Sequence, residues 1–386
     1  MKRTILLVSL FLAAGLIALQ GCKGPEGPAG PPGESTILQL EGFAADINCG
    51  DCHNPETDTT YFVWSRKYEW EKSKHYWGGD YERAGASCAE CHTTEGFIQK
   101  TSGKTVTAAI HPSPPGCFAC HSPHSRANFT LRTTSAPTLL AGVVGDADAT
   151  FDFGKGNLCA SCHRPRSISP KPDPTKTAVT DTITISNSRW YQHYGVQSHI
   201  LNGTGGFKWA DYTYGGNSAH TTQPLIKSEG CTQCHMADPA ASLSYPFGAA
   251  GGHTMNIRYD LHGVESSLLD GCKNSACHPT ITTVDYHSVQ TTVNAYLDTL
   301  ATMMKDTSIV NMWNKGAKKA WIAGDDSTGY TINASSGSGA LKIAPAARSG
   351  ALYNFFMVEH DLSHGVHNSV YVIDLLKSSV AELRKP

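Results

Sequence analysis

Hydrophobic residues recur at helical spacing in the last third of the chain and in one aromatic segment nearer its start. Within 284–322, and again over about 345–363 and 368–384, this spacing predicts helices, and 61–77 predicts an aromatic-rich helix. The 37 glycines and 20 prolines predict many turns. We therefore expect a mainly α fold with extensive loops, C-terminal helices and little sheet. The stripe within 284–322 comprises Val289, Val293, Tyr296, Leu297 and Leu300.

The first 21 residues have the pattern of a lipoprotein signal peptide. Two basic residues precede an apolar run of signal-peptide length, and LQGC follows at 19–22. This stretch is similar to a bacterial lipobox, which predicts cleavage before Cys22 and lipidation of Cys22. An ordinary signal peptide followed by a chance cysteine is the alternative. Lys23 stands where an aspartate would signal inner-membrane retention, so we expect an exported lipoprotein at the outer membrane or cell surface.

A Gly/Pro-rich segment over 22–40 follows the lipid site. Its GPEGPAGPPGES favours a stiff, polyproline-like spacer, with a miniature collagen-like triple helix as the alternative. No other apolar run approaches the roughly 18 residues of a membrane-spanning helix. Attachment to the membrane is therefore expected through the N-terminal lipid, with the cysteines under oxidising conditions.

The cysteines follow one repeated pattern. Cys-x-x-Cys-His occurs five times, and CKNSACH at 272–278 has the same order with a longer spacer. Each short motif is the attachment signature of a c-type haem, in which two thioethers hold the porphyrin and the histidine ligates the iron. Counting the longer motif as a sixth site uses every cysteine except Cys22. The attachment residues are Cys49, Cys52, Cys88, Cys91, Cys117, Cys120, Cys159, Cys162, Cys231, Cys234, Cys272 and Cys277, and the proximal ligands are His53, His92, His121, His163, His235 and His278.

Structural zinc and disulfides are the alternative uses of these cysteines. Zinc would need four ligands at each site, and disulfides would pair the thiols of an exported chain. Neither explains why a histidine follows the second cysteine in all six places.

The motif spacing divides the mature chain into three regions. Residues 41–170 hold haems 1–4, 171–290 hold haems 5 and 6, and 291–386 form a C-terminal helical region that carries a distal ligand. With so many haems in so short a chain, we expect porphyrins to form the centre of the fold and the haem-free chain to be unfolded.

Twelve further histidines compete for the second axial positions: His75, His111, His124, His193, His199, His220, His253, His262, His287, His360, His364 and His367. Methionine is scarce, so low-potential bis-histidine haems are favoured. Such irons have no open position, and electrons would pass outer-sphere.

The chain resembles a known group of proteins in EWEKSKH, CFACHSPH, GKGNLCASCH, YGVQSHILNGTGG, CTQCHM…GGHTM and DLSHGVHNSVYVIDLL. These stretches are similar to multihaem cytochromes c related to the pentahaem nitrite reductase and octahaem hydroxylamine oxidoreductase superfamily. The resemblance covers about residue 45 to the C-terminus. It implies the distal ligands His75, His124, His193, His220, His253 and His367, with His364 in reserve.

Charge and ligation together favour electron transfer. The leader takes two of the 31 basic residues, leaving 29 against 33 acidic residues, and haem propionates would add negative charge, so nucleic-acid binding is disfavoured. The chain also resembles surface multihaem lipoproteins of metal-reducing bacteria. We expect a hexahaem conduit between other cytochromes and an extracellular acceptor, in extracellular or periplasmic respiration, with no catalytic residue of its own.

Two alternatives remain open at this stage. One is a reductase or oxidase of small nitrogen or sulfur compounds, which needs an iron with an open face; the nitrite reductases often use a Cys-x-x-Cys-Lys haem that this sequence lacks. The other is an oligomer or filament whose haems stack from one protomer to the next.

Overall fold

The computed structural model describes residues 53–58, 60–121, 129–238, 248–312 and 330–386. The chain divides into two compact units, Met1–Phe43 and Ala44–Pro386, and all the described residues belong to the second. The predicted signal peptide, Cys22, the spacer, Cys49, Cys52 and His124 lie outside the described residues.

The fold is mainly helical, as the sequence predicts, with 40% helix and 8% strand. The helices within the described residues are α1 (Val63–Glu71), α2 (Lys74–Trp77), α3 (Ala86–His92), α4 (Thr94–Thr101), α5 (Cys117–Cys120), α6 (Gly156–Ala160), α7 (Gln197–Asn202), α8 (Pro224–Glu229), α9 (Thr232–His235), α10 (Val289–Asp306), α11 (Ser349–Asp361) and α12 (Ser369–Leu383). Short 3₁₀ turns occupy Asp80–Glu82, Ala219–Thr221, Gly252–Thr254, Tyr286–Ser288, Gly337–Gly339 and Ala346–Arg348.

The strands are short and pair only as antiparallel ribbons. β1 (Thr138–Leu139) pairs with β2 (Ala149–Thr150), and β3 (Ile183–Ile185) pairs with β8 (Leu341–Ile343). β4 (Arg258–Leu261) pairs with β5 (Val264–Ser267), and β6 (Val310–Met312) pairs with β7 (Tyr330–Ile332). The β3–β8 ribbon connects the middle of the chain to its C-terminal region.

Helix α10 is shorter than the hydrophobic pattern over 284–322 predicts. The carboxylate of Asp285 accepts hydrogen bonds from the backbone N–H groups of Gln290 and Thr291, at 2.7 and 3.3 Å, and so caps the first turn. The helix ends at Asp306, and Ser308 has a positive φ of 59° before β6 begins. A left-handed residue ends a helix, so the periodicity beyond 306 does not continue it.

Helix α11 is buried along its whole length. Asn354 lies on it with a fully buried amide that bonds both backbone groups of Phe207, at 2.8 Å to the N–H and 2.9 Å to the carbonyl. These bonds satisfy a loop that would otherwise bury unpaired backbone groups. The helix therefore forms the centre of the C-terminal region.

Helices α10, α11 and α12 build a hydrophobic core from side chains alone. Leu297, Phe355, Phe356 and Leu375 are each at most 1% exposed, and one continuous cluster joins them to aliphatic and aromatic side chains from residue 143 onward. This region therefore has a core of its own made of side chains, whereas we expected porphyrins to form the centre of the fold. That the haem-free chain is unfolded stays a prediction.

Leu375→Ala is expected to lower the free energy of unfolding by about 2 to 5 kcal/mol, since it leaves a cavity in this core. Denaturant unfolding followed by far-UV circular dichroism measures the change. Val370→Ala is the matched control, because Val370 lies on the same helix with 36% of its surface exposed. Equal losses for the two variants would contradict this description of the core.

Candidate functional site

The four short cysteine motifs within the described residues each lie on, or overlap, a single short helix. Motif 2 (Cys88–His92) forms the end of α3, motif 3 (Cys117–His121) begins with α5, motif 4 (Cys159–His163) overlaps α6, and motif 5 (Cys231–His235) includes α9. Residues three apart share a helix face, so the two thiols of each motif lie on one side. In motifs 3, 4 and 5 the histidine N–H donates to the carbonyl of the first cysteine, at 2.8 to 3.0 Å.

Motif 6 (Cys272–His278) makes the same hydrogen bond despite its longer spacer. The His278 N–H donates to the carbonyl of Cys272 at 3.1 Å. Within the spacer, the backbone carbonyl of Asn274 accepts from the Cys277 N–H at 3.0 Å, which forms a turn. The first cysteine and the histidine are thus bonded in the same way as in the short motifs.

Five motif histidines each face a second histidine from a distant part of the chain. The centres of the facing rings are 6.0 to 6.2 Å apart. The second member of every pair is one of the distal ligands implied by the sequence. The pairs are His92 with His193, His121 with His253, His163 with His75, His235 with His367, and His278 with His220.

This spacing fits one metal ion between two imidazoles. A metal–nitrogen bond of about 2.0 Å on each side, with each ring centre roughly 1.1 Å behind its nitrogen, gives about 6.2 Å between ring centres. Aromatic rings in direct contact also lie about 4.5 to 7 Å apart, so the recurrence of one separation at five motif histidines distinguishes these pairs, not the distance alone. The pairs therefore have the separation of axial ligands on a shared iron.

Hydrogen bonds fix the orientation of several of these rings. The Nδ1 atoms of His121, His220 and His235 donate to the carbonyls of Phe129, Val366 and Met255, at 2.8, 2.8 and 3.0 Å. A carbonyl can only accept, so the proton is on Nδ1 and the lone pair on Nε2. Metal-binding histidines use the same arrangement, since the second hydrogen bond sets the tautomer and aims the ring.

Asp361 provides a charged version of this contact. Its Oδ1 lies 2.7 Å from Nδ1 of His367, and its side chain has no exposed surface. Burial lowers the pKa of His367, but the charge of Asp361 and its hydrogen bond outweigh this and raise the pKa overall. A carboxylate at Nδ1 makes the ring a stronger electron donor through Nε2.

Burial keeps most of the other facing rings neutral. It lowers the pKa of His75, His193 and His235 to about 4. Burial also lowers the pKa of His92, His121, His163 and His220 below the usual range. A metal binds the neutral form of imidazole, so these rings require no deprotonation at neutral pH.

One continuous cavity of about 2550 Å³ joins motifs 2 to 5. A pocket for a single small molecule has a volume of about 300 to 1,000 Å³, so this cavity has room for several large groups. Both cysteines of motifs 2 to 5 line it, together with aromatic side chains such as Trp70 and Phe118. Its apolar walls suit the faces of porphyrins.

The ten cysteines in the described ranges are free thiols. The described part of the chain does not contain a group of three or more His, Cys, Asp or Glu side chains that could hold a metal ion. A pair of histidines at each site would suit an iron whose other four ligands are porphyrin nitrogens.

The remaining histidines have other surroundings. Both ring nitrogens of His199 are engaged, with Thr204 at 2.8 Å and the carbonyl of Leu140 at 3.2 Å. His360 lies buried among Tyr191, Tyr194 and Phe356. The reserve candidate, His364, lines the cavity but belongs to none of the five pairs described. His111, His262 and His287 are exposed.

Sequence reasoning missed Met255 and Asp361, which contact the predicted ligands without being ligands. Besides its bond to His235, Met255 places its Sδ 3.0 Å from Nδ1 of His75. Asp361 falls within the DLSHGVHN stretch, six residues before its partner. Its position close to His367 in the sequence is the signal that could have suggested a role for Asp361.

No helix in the described ranges is long and apolar enough to cross a membrane. In comparisons with known proteins, no family model, no curated protein and no solved structure matches the chain.

Proposed function

We propose that this protein is a hexahaem c-type cytochrome that transfers electrons outer-sphere between redox partners. The observation that carries the proposal is the set of five histidine pairs, each with its ring centres 6.0 to 6.2 Å apart and one member in a cysteine motif. Each bound haem would supply a one-electron couple. The chain's own part is to hold both axial positions and to surround the porphyrins with apolar side chains.

Occupied axial positions favour electron transfer over substrate chemistry. A reductase of nitrite, hydroxylamine or sulfite needs an iron with an open face, and histidines flank both sides of the site at each of the five described motifs. The lipobox-like LQGC supports attachment at the outer membrane or cell surface, with other cytochromes or an extracellular acceptor as partners.

The intact mass of the mature protein tests the proposal most directly. Expressed in a host that matures c-type cytochromes, it should carry six covalent haems, and the oxidised protein should give only low-spin ferric signals in electron paramagnetic resonance. Replacing both Cys272 and Cys277 by alanine should lower the mass by one haem, while His111→Ala, at an exposed histidine, should change neither measurement.

Two results would contradict the proposal. A mass without added haem would exclude it altogether. A stoichiometric high-spin haem together with turnover of nitrite, hydroxylamine or sulfite would replace it with the enzymatic alternative.

A further inference from the structure

The cysteine motifs contact one another in a definite order, and motifs 2 and 4 provide the first contact. The thiol of Cys91 points at the carbonyl of Ser161, and the thiol of Cys162 points at the carbonyl of Glu90, each at 4.0 Å. The second cysteines of motifs 2 and 4 therefore lie side by side.

Motifs 4 and 5 meet through two glycines. A Cβ on Gly230, which has a φ of +60°, would lie 2.6 Å from the Cα of Gly156. A Cβ on Gly156 would in turn lie 3.4 Å from the sulfur of Cys231. Any side chain at either position would force the motifs apart. With glycine at both, motifs 4 and 5 pack backbone against backbone.

Met255 joins the axial ligands of the same two motifs. Its sulfur lies 3.0 Å from His75, which faces motif 4, and its carbonyl accepts from His235 of motif 5 at 3.0 Å. One residue thus contacts the ligand sets of both sites. Independently of the cysteines, this contact places the fourth and fifth sites next to each other.

Motif 6 adjoins motif 5 in the same manner. The side-chain amide of Gln233 donates to the carbonyl of Gly271 at 2.8 Å, and a Cβ on Gly271 would lie 2.9 Å from the Cα of Cys234. Val366, whose carbonyl holds His220 of the sixth site, directly precedes His367 of the fifth.

Motif 3 packs against motif 4. Phe97, Ala119 and Leu158 form a small hydrophobic cluster, with Cys120 and Cys162 packed against it. Ala119 lies within motif 3, and Leu158 directly precedes motif 4. Motif 4 is therefore in contact with three other motifs.

We infer that the chain arranges its haems in the order second, fourth, fifth, sixth, with the third beside the fourth, and that the fourth is the junction of the array. The inference rests on the proposed function. A thioether sulfur is joined to the porphyrin ring through a single carbon atom, so sulfurs in contact bring the edges of two rings close together. Electrons exchanged between neighbours, with one iron oxidised for each one reduced, would follow this order rather than the order of the motifs in the sequence.

A crystal or electron cryo-microscopy structure of the mature, haem-loaded protein tests the order. We expect the sulfur pairs Cys91–Cys162, Cys159–Cys231 and Cys234–Cys272 to lie in van der Waals contact, at about 4 Å. The haem at motif 4 should have those at motifs 2, 3 and 5 as neighbours. Intact mass on the same preparation reports the number of haems.

The outcomes separate this inference from the proposed function. Six haems with the second beside the third and away from the fourth, or with polypeptide between the fourth and fifth, would overturn the order and leave the cytochrome proposal standing. A protein without haem would overturn both. If the haems had the inferred order but the protein reduced nitrite, only the electron-transfer role would fail.

Discussion

His220→Met is expected to raise the midpoint potential of one haem in six by on the order of 0.2 V, within the range of about 0.8 V that axial ligands span. His220 faces His278 with 6.0 Å between ring centres, so it would be the second ligand at the unusually spaced motif 6. A thioether donates less charge to ferric iron than imidazole does, and methionine ligation therefore favours the reduced state. Spectroelectrochemical titration of the whole protein would show one-sixth of the absorbance change moving to higher potential.

His287→Met is the matched control for this variant. His287 stands close to the same site, with its ring 4.0 Å from Tyr286, whose own ring lies 4.7 Å from His278. It is exposed and does not face a motif histidine in the described pairs, so the titration should not change. Identical titrations for both variants, with six haems present by mass, would show that His220 is not an axial ligand.

Much of the fold could be predicted because its signals are local. Helical periodicity identifies α11 and α12 within about four residues at each end, since apolar residues recur on one face. The motifs are also visible in the sequence, because the proposed attachment needs two cysteines and a histidine within one short stretch. In each case the chemistry depends on neighbours in the sequence.

Pairing of ligands could not be predicted, because it depends on contacts between distant segments. Nothing near His75 indicates that it faces His163 of motif 4 rather than His92 of motif 2, the nearest motif in the sequence. The C-terminal core was missed for a related reason. The expectation that porphyrins form the centre of the fold assumes that side chains and porphyrins are evenly mixed along the chain. Instead, α11 and its neighbours concentrate apolar side chains in one region.

Contacts beyond the ligands escape sequence reasoning for another reason: they use backbone atoms or common side chains. Every residue has a backbone carbonyl, so the sequence cannot single out those of Phe129 and Val366. Met255 is distinguished in the sequence only as one of a few methionines. Asp361 is distinguished from many other aspartates only by its burial against His367. These contacts are where the sites differ from one another.

Asp361→Asn is expected to raise the midpoint potential of the fifth haem by about 60 to 100 mV. The buried carboxylate, 2.7 Å from Nδ1 of His367, increases the donor strength of that ring and so favours ferric iron. Exchanging a charged acceptor for a neutral one removes about 1.4 to 2.3 kcal/mol, with 59 mV per tenfold change for one electron. Asparagine keeps an acceptor oxygen at the same place, so the haem count and the fold should be retained.

Glu69→Gln provides the control for a carboxylate near an axial ligand. Glu69 lies 3.7 Å from Nδ1 of His253, but Arg66 shares its charge at 3.2 Å. A neighbouring cation offsets the field of the carboxylate at the ring, so the third haem should shift by less than half as much as the fifth does in Asp361→Asn. Equal shifts would mean that the hydrogen bond contributes little beyond the charge. No shift in Asp361→Asn would mean that His367 does not ligate iron in the fifth site.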